Sequence, residues 1–457
     1  MAPQARGLPE FASRVPGIEW PGLPSAQGQR ALAMQFQFQR SQWWNQDAIL
    51  DWQFRQLRQL IAHALAQVPH YRDHLRRAMI FTLAGLSPES FLRWPVLRKA
   101  DLMAQSAQLL ARTTPREHGA IIWNSTSGST ATPVKVAFTE IAVWLQAALV
   151  LRSQLWHGLD FSAKFAAIKS GVAAGSYADW GPATRDAIDT GPSVVCFVSE
   201  PANVQLDWLL HQAPAYLLCY GTILRALLDA SRDAGCRPHS LRAVFSFGET
   251  VSEDLRERLR EQWRVPMIDA YSAGEFGTIA VDCPIQPHFH VQSESVYLEV
   301  LRDDGTPATA GETGRVVITD LHNFAMPLIR YEIGDYARVG APCSCGRGLP
   351  VLTRVLGRVR NMACDPSGRR FWPSFPAKLW MAVPAVRQLQ LVQVSAGQID
   401  VRYVGERELI ETEITQLTKA LTTSKRYPFE FAFVRVQQIG RGPTGKFEDF
   451  VSLIAPS

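Results

Sequence analysis

The run Asn124-Ser-Thr-Ser-Gly-Ser-Thr-Ala-Thr-Pro-Val-Lys-Val136 constrains this chain more than any other stretch. Seven consecutive residues, Ser125 to Ala131, are small or hydroxyl-bearing. They bury little apolar surface, so the run cannot belong to a core. Apolar residues precede it (Ile121, Ile122, Trp123), and a β-like alternation follows (Val134, Val136, Phe138). The pattern predicts a tight loop between two strands. Gly128 lets the backbone approach a ligand, and Ser125, Thr126, Ser127, Ser129 and Thr130 supply donors. Polyphosphate is the anion that most rewards such a cradle. A flexible surface loop has the same composition. The run is not a kinase-type P-loop, because no Gly-Lys-Ser/Thr closes it and no helical pattern starts there.

At 457 residues the chain predicts a large and a small domain, and 47% hydrophobic content supports proper cores. A net charge of +5 with scattered Lys and Arg gives no footprint for nucleic acid. The N-terminus lacks an apolar signal core, and no apolar run approaches the roughly 20 residues of a membrane helix. No membrane partner is therefore expected, and the expected location is the cytoplasm. Seven cysteines, an odd number, do not form a disulfide framework. The sequence leaves room for a homodimer without specifying one.

Residues 1–30 are rich in Pro, Gly and Ala and read as an arm. Phe54, Leu57, Leu60, Ile61, Ala64 and Leu65 then share one helical face, with Arg55, Arg58 and Gln59 on the other. From 140 to about 270, helical stretches alternate with short apolar runs at Phe165–Ile168, Ser193–Val198, Ala215–Leu218, Ala243–Phe247 and Pro266–Ala270. This alternation predicts an α/β fold of helix-covered sheets. Two of these strands run into small polar turns, Gly248-Glu249-Thr250 and Tyr271-Ser272-Ala-Gly-Glu275. Strand ends of this kind are where α/β sheets place ligands. Tyr271 can stack on a flat base, and Glu275 is a hard oxygen ligand suited to Mg²⁺. Further on, Cys283 and His290 (with His288 close by) precede Cys343-Ser-Cys345. Cys283, His290, Cys343 and Cys345 form a Cys₃His set suited to structural Zn²⁺. Unrelated thiols remain the alternative. After residue 357, Leu389–Val394, Ile399–Tyr403 and Phe431–Val436 alternate as strands around a helix at Glu406–Leu421.

Taken together, these motifs resemble the adenylate-forming superfamily of acyl-CoA ligases, adenylation domains and luciferases. The chain is most similar to its phenylacetate-CoA ligase and capsule-biosynthesis branch. Thr126-Ser-Gly-Ser-Thr-Ala-Thr-Pro133 resembles the family's phosphate loop, with Ala131 in place of glycine and Val134 in place of a common lysine. Val68-Pro-His-Tyr-Arg72 and Trp94-Pro-Val-Leu-Arg-Lys-Ala-Asp-Leu102 resemble that branch's N-terminal segments. Met326-Pro-Leu-Ile-Arg-Tyr-Glu-Ile-Gly-Asp335 resembles the motif whose aspartate holds the ribose hydroxyls, and Gly357-Arg358-Val-Arg-Asn361 resembles the hinge. Gly440-Arg-Gly-Pro-Thr-Gly-Lys446 resembles the segment carrying the lysine that reaches the α-phosphate. Gly274, Ile333 and Asn361 depart from the family's hydroxyl, threonine and acidic residues.

The resemblance implies a large adenylation domain over 31–357 and a small mobile α+β lid over 358–457. It implies ATP with Mg²⁺, a small carboxylic acid as substrate, and CoA or a carrier-protein phosphopantetheine as acceptor. Gly248, Glu249, Thr250, Tyr271 and Ser272 would line the adenine pocket, and Arg358 would pair with phosphate or ribose oxygens. Tyr220, Phe247, Phe276, Ser170 and Gly171 are candidates for an acyl pocket, and their flat and small side chains suit an aryl acid. An amine or hydroxyl acceptor, or a decayed nucleotide-binding module, remains open at this level.

Overall fold

The computed structural model describes residues 11, 13–72, 83–125, 134–249, 251–358, 361–371, 373, 383, 385–423, 429–440 and 450–454. Its centre is a block of parallel strands made from the apolar runs. The strands Ser193–Cys196, Phe165–Ile168, Tyr216–Cys219, Ala243–Phe247 and Met267–Ala273 lie side by side in that spatial order. Parallel neighbours need crossovers, and the helices Ala202–Gln212, Gly221–Ala234 and Glu253–Gln262 supply them. Ile223, Leu224, Leu227 and Leu228 of the middle helix pack on Ile168, Cys196, Cys219 and Val244. Phe165, Trp180, Tyr216 and Phe245 cluster elsewhere on the block, with ring centroids 5.0–6.2 Å apart. The chain leaves Phe165–Ile168 towards Ser193–Cys196 on one side, then returns to Tyr216–Cys219 on the other. That reversal opens a crevice at the carboxyl ends of these strands.

The strand expected to end at Ala270 continues to Ala273 and turns into an antiparallel hairpin with Gly277–Asp282. Tyr271 and Ser272 therefore lie within a strand, not after one. Gly277 is required at the turn: its φ is +68°, and a Cβ there would meet the Gln146 side chain at 2.7 Å. The sheet goes on through Phe289–Val291, Val351–Arg358, Tyr331–Val339, Thr313–Asp320 and Val296–Leu301. With Leu97–Arg98 and Gly175–Tyr177 it has thirteen strands. The helix Gln46–Gln67 packs Phe54, Leu57, Leu60 and Ile61 into the core of this half, as its periodicity required. Within the expected arm a helix already begins, Ala26–Ser41, with Ser25 accepting the Gly28 N–H at 3.1 Å as its cap.

A separate four-stranded sheet holds Glu430–Arg435, Gln398–Val404, Gln388–Gln393 and Phe450–Ser452 in that order. Its helix, Glu411–Thr423, buries Leu417 and Leu421 against Leu391, Ile399 and Val401. The helix starts later than the expected residue 406. Glu413 accepts the Ile410 N–H at 3.0 Å and pairs with Arg407, which fixes the first turn there.

Arg330, at the heart of the Leu-Ile-Arg-Tyr motif, is structural. It is buried, donates to both carboxylate oxygens of Glu299 at 2.9 and 3.0 Å, and reaches the Leu92 and Trp94 carbonyls at 2.6 and 2.5 Å. The segment before Leu97–Arg98 is thereby tied to the sheet. Arg330→Leu strands a buried carboxylate and should cost about 3–5 kcal/mol in denaturant unfolding. The double variant Arg330→Leu/Glu299→Leu should recover much of that loss; equal losses in both would show that the carbonyl contacts carry the clamp.

Candidate nucleotide and acyl site

The strands flanking the hydroxyl-rich run, Ile121–Ser125 and Lys135–Thr139, pair antiparallel from Ile121 with Thr139 to Ser125 with Lys135. The two strands thus form a hairpin. Thr126, Ser127, Gly128, Ser129 and Thr130 themselves lie outside the described residues, as do Thr250 and Lys446. Asn124, at the base of the loop, donates its amide to the Gly274 carbonyl at 3.1 Å. The hairpin is therefore anchored to the turn that carries Glu275. Glu275 is 9% exposed.

Tyr271 donates its hydroxyl to Asp335 at 2.8 Å. The strands bearing them stand four places apart in the sheet. On a flat sheet that is about 19 Å, at about 4.8 Å per strand, far beyond the reach of the two side chains. The antiparallel half must curl until Tyr331–Val339 faces Met267–Ala273. Phe276 and Tyr331, with centroids 5.9 Å apart, fill the inside of that curl. Asp335 also sits opposite Arg358 across the Val351–Arg358 strand, so the hinge motif begins beside it. Ile333, where the family has threonine, is buried in the core.

At the carboxyl end of the parallel block, the Tyr220 and Phe247 rings pack at a 33° tilt with centroids 4.7 Å apart, and Ser170 bonds the Tyr220 hydroxyl at 3.0 Å. Gly248, with φ +71°, turns the chain sharply after Phe247. Glu249 then accepts the Thr222 N–H at 2.8 Å and its hydroxyl at 3.1 Å, capping the helix Gly221–Ala234. Glu249 is thus committed to this helix N-terminus. Gly171, at φ +81°, borders open space. Phe276 does not join this group. At 1% exposure it belongs to the core around Tyr331, because the hairpin turn directs it inward while Tyr220 and Phe247 line the crevice. A separate cavity of about 70 Å³, lined by His70, Trp94 and Asp101 among others, holds little more than water.

The cysteines and histidines converge at the far end of the hairpin Gly277–Asp282/Phe289–Val291. Ligand atoms of Cys283, His288, His290 and Cys343 all lie within 4.8 Å of one another. Cys345 Sγ lies 3.4 Å from His290 Nε2, at the edge of this group. His288, passed over in favour of His290, is therefore a fourth member. It stands two residues from His290 next to a tight Cys283 N–H to His288 carbonyl bond of 2.8 Å. The donor set fits a tetrahedral thiophilic cation. Among the described residues, the buried His288 Nε2 finds no hydrogen-bond partner. Burial pushes His290 down to about 4, leaving a neutral imidazole, and pushes the Cys343 thiol up to about 12. Burial also acts to raise Cys345, but the Arg347 N–H and guanidinium bring it below the ordinary thiol value. Backbone N–H groups of Cys345 and Arg347 point at Cys343 Sγ and Cys345 Sγ, at 3.3 and 3.5 Å.

The 343–348 turn is locked to the N-terminal helices. Arg347 lies over Trp43 and Trp156, 5.0 and 4.3 Å from their centroids, and donates to the Gln42 side chain at 3.1 Å. Gly348 donates to the Gln42 carbonyl at 2.9 Å, and a Cβ on it would meet the Trp44 carbonyl at 1.7 Å.

No family model matches the chain. Curated relatives do. The phenylacetate-coenzyme A ligase of Thermus thermophilus is 26% identical over 357 residues, 76% of this chain and 79% of the relative. That of Pseudomonas putida is 24% identical, over 75% and 77%. The chain is similar to the phenylacetate-CoA ligases, and its fold is that of the adenylate-forming CoA ligases. Among solved structures, 2-hydroxyisobutyryl-CoA ligase in the postadenylation state superimposes with a TM-score of 0.74 at 19% identity, covering 90% of this chain and 91% of that one. An anthranilate CoA ligase in complex with anthranoyl-AMP gives 0.53 at 20% identity, over 71% and 65%. Members of the superfamily have a large N-terminal and a small C-terminal domain, and this chain shares that architecture.

Structural zinc contributes on the order of 10 kcal/mol of apparent binding energy in small zinc domains. Elemental analysis should find one zinc per chain, and chelation should lower the melting temperature by several degrees. His288→Ala and Cys345→Ala measured side by side identify the fourth ligand; full zinc content in both, and in Cys343→Ser, would rule the site out.

Proposed function

We propose that the protein is an AMP-forming acid–thiol ligase. The observation that carries this reading is the Tyr271–Asp335 hydrogen bond. It joins an aromatic ring and a carboxylate, distant in sequence, beside the hydroxyl-rich hairpin. A base can stack on the ring, and ribose hydroxyls can donate to the carboxylate. The curated relatives, all phenylacetate-coenzyme A ligases, support it.

A carboxylate is a poor acyl donor, because its leaving group would be oxide. One of its oxygens attacks the α-phosphorus of ATP, pyrophosphate leaves, and an acyl-adenylate forms. A thiol then attacks the acyl carbon, and AMP departs with the bonding electrons. The chain positions these groups and neutralises charge. Residues 126–130 would cradle the β- and γ-phosphates, and Asn124, before them, is bonded to the Gly274 turn. Mg²⁺, when bound, withdraws charge from the phosphates, and Glu275 offers it a carboxylate oxygen. Gly248, Glu249, Thr250, Tyr271 and Ser272 surround the adenine, and Asp335 and Arg358 hold the ribose side. Lys446 meets the charge growing on the α-phosphate.

Residues 31–357 form the large domain, and 358–457 a lid that turns at Arg360–Asn361 between the two half-reactions. The Cys/His cluster holds zinc in a structural role, since protein ligands fill the coordination sphere. Tyr220, Phe247, Ser170 and Gly171 shape an acyl pocket suited to an aryl acid. Among the described residues no helix is long and apolar enough to cross a membrane. The cytoplasm, where ATP and CoA are both abundant, suits this chemistry.

ATP–pyrophosphate exchange across a panel of aryl and short aliphatic acids tests the reading. Exchange should depend on the acid and fall by orders of magnitude in Lys446→Ala, while that variant still transfers the acyl group from supplied acyl-adenylate to CoA. Normal pyrophosphate release by Lys446→Ala would defeat the assignment.

A further inference from the structure

Lys169 stands where the ligase reading has no use for it. It follows the strand Phe165–Ile168 at the reversal of the sheet, on the edge where α/β folds bind ligands. Ile168 is level with Cys219 on one neighbour and Cys196 on the other, and Cys219 is level with Ser246. The next residues therefore come in the order Phe197, Lys169, Tyr220, Phe247 along the crevice. Ser170, adjacent to Lys169, bonds the Tyr220 hydroxyl at 3.0 Å. One lysine thus stands in a row that is otherwise aromatic or small.

Its ammonium is half-buried, and burial lowers its pKa. Among the described residues nothing forms an ion pair or hydrogen bond with its side chain. Of the acidic residues that follow the neighbouring strands, Glu249 is committed to the Thr222 N–H and hydroxyl, and Glu200 is exposed to solvent. The loop beyond is open, since neither Gly171 nor Gly175 has an atom within 4 Å of where a Cβ would stand. A partly desolvated charge without a partner is unfavourable, and a pocket keeps one where a ligand supplies the counter-charge.

We propose that Lys169 pairs with an anionic group at the distal end of the acyl substrate, so that the protein prefers acids carrying a second carboxylate. This rests on the ligase reading and narrows it from aryl acids in general to anionic ones. The same ammonium chemistry would also suit a phosphate of CoA, and the experiment separates the two.

Exchange assays compare acids that differ by one distal carboxylate: 3-phenylpropionate with 3-(4-carboxyphenyl)propionate, and hexanoate with adipate. CoA is absent from these assays. The wild-type protein should favour the diacid of at least one pair in kcat/KM by about tenfold, the scale of one well-placed ion pair. Lys169→Met should remove that preference through the KM for the diacid, and Lys169→Arg should retain most of it. Thermal melting checks each variant's fold, and Lys169→Gln serves as a second neutral replacement. Equal use of mono- and diacids by the wild type, or a preference untouched in both neutral variants, overturns the proposal and leaves the ligase reading standing. So does an effect confined to the KM for CoA in thioester formation. Absence of exchange with every acid overturns both.

Discussion

The hydrogen bond from Tyr271 to Asp335 exists only because the sheet curls. Strands four places apart meet face to face, and the space between them is filled by Phe276, Tyr331 and their neighbours. Without that packing the two motifs would lie on separate parts of a sheet, and neither could serve a shared ligand. The curl has its own supports. Gly277 lets the hairpin turn approach Gln146, and Arg330 holds the far strands to the segment at 92–97 through Glu299 and two carbonyls. The conspicuous Leu-Ile-Arg-Tyr sequence therefore combines two tasks: its arginine braces the wall on which Asp335 stands.

A second anchoring system works at the other end of the strand Gly277–Asp282. Cys283 and His288 come from the connection that follows it, His290 from the next strand, Phe289–Val291, and Cys343 from a distant turn. That turn is in turn packed onto Gln42, Trp43 and Trp44. A cation held there would join the N-terminal helices to the strand Gly277–Asp282, whose opposite end follows the turn that carries Glu275. The proposed zinc and the proposed nucleotide site would thus share one strand, which gives a structural metal a reason to be present.

Much of this was legible in the sequence. Strands of a parallel block are buried on both faces, so they read as short apolar runs, and Ala243–Phe247 has the boundaries expected of it. Local patterns could not show where tertiary pairing extends a strand. Met267–Ala273 outlasts its apolar run because Gly277–Asp282 supplies a hydrogen-bonding partner. Phe276 shows the same limit, since its position beside Glu275 says nothing about which way the turn points it. His288 and His290 differ in sequence context by almost nothing, and only the fold reveals that both imidazoles face the thiols. Lys169 carries no motif at all; its interest comes from the register of three neighbouring strands.

The central claim is that one carboxylate oxygen of the substrate attacks the α-phosphorus of ATP. An acid that supports exchange, labelled with ¹⁸O in its carboxylate, tests this directly when AMP, pyrophosphate and thioester are collected after one turnover. The account predicts one labelled oxygen in AMP and none in pyrophosphate. Label in inorganic phosphate with release of ADP would mean attack at the γ-phosphorus, and would contradict it.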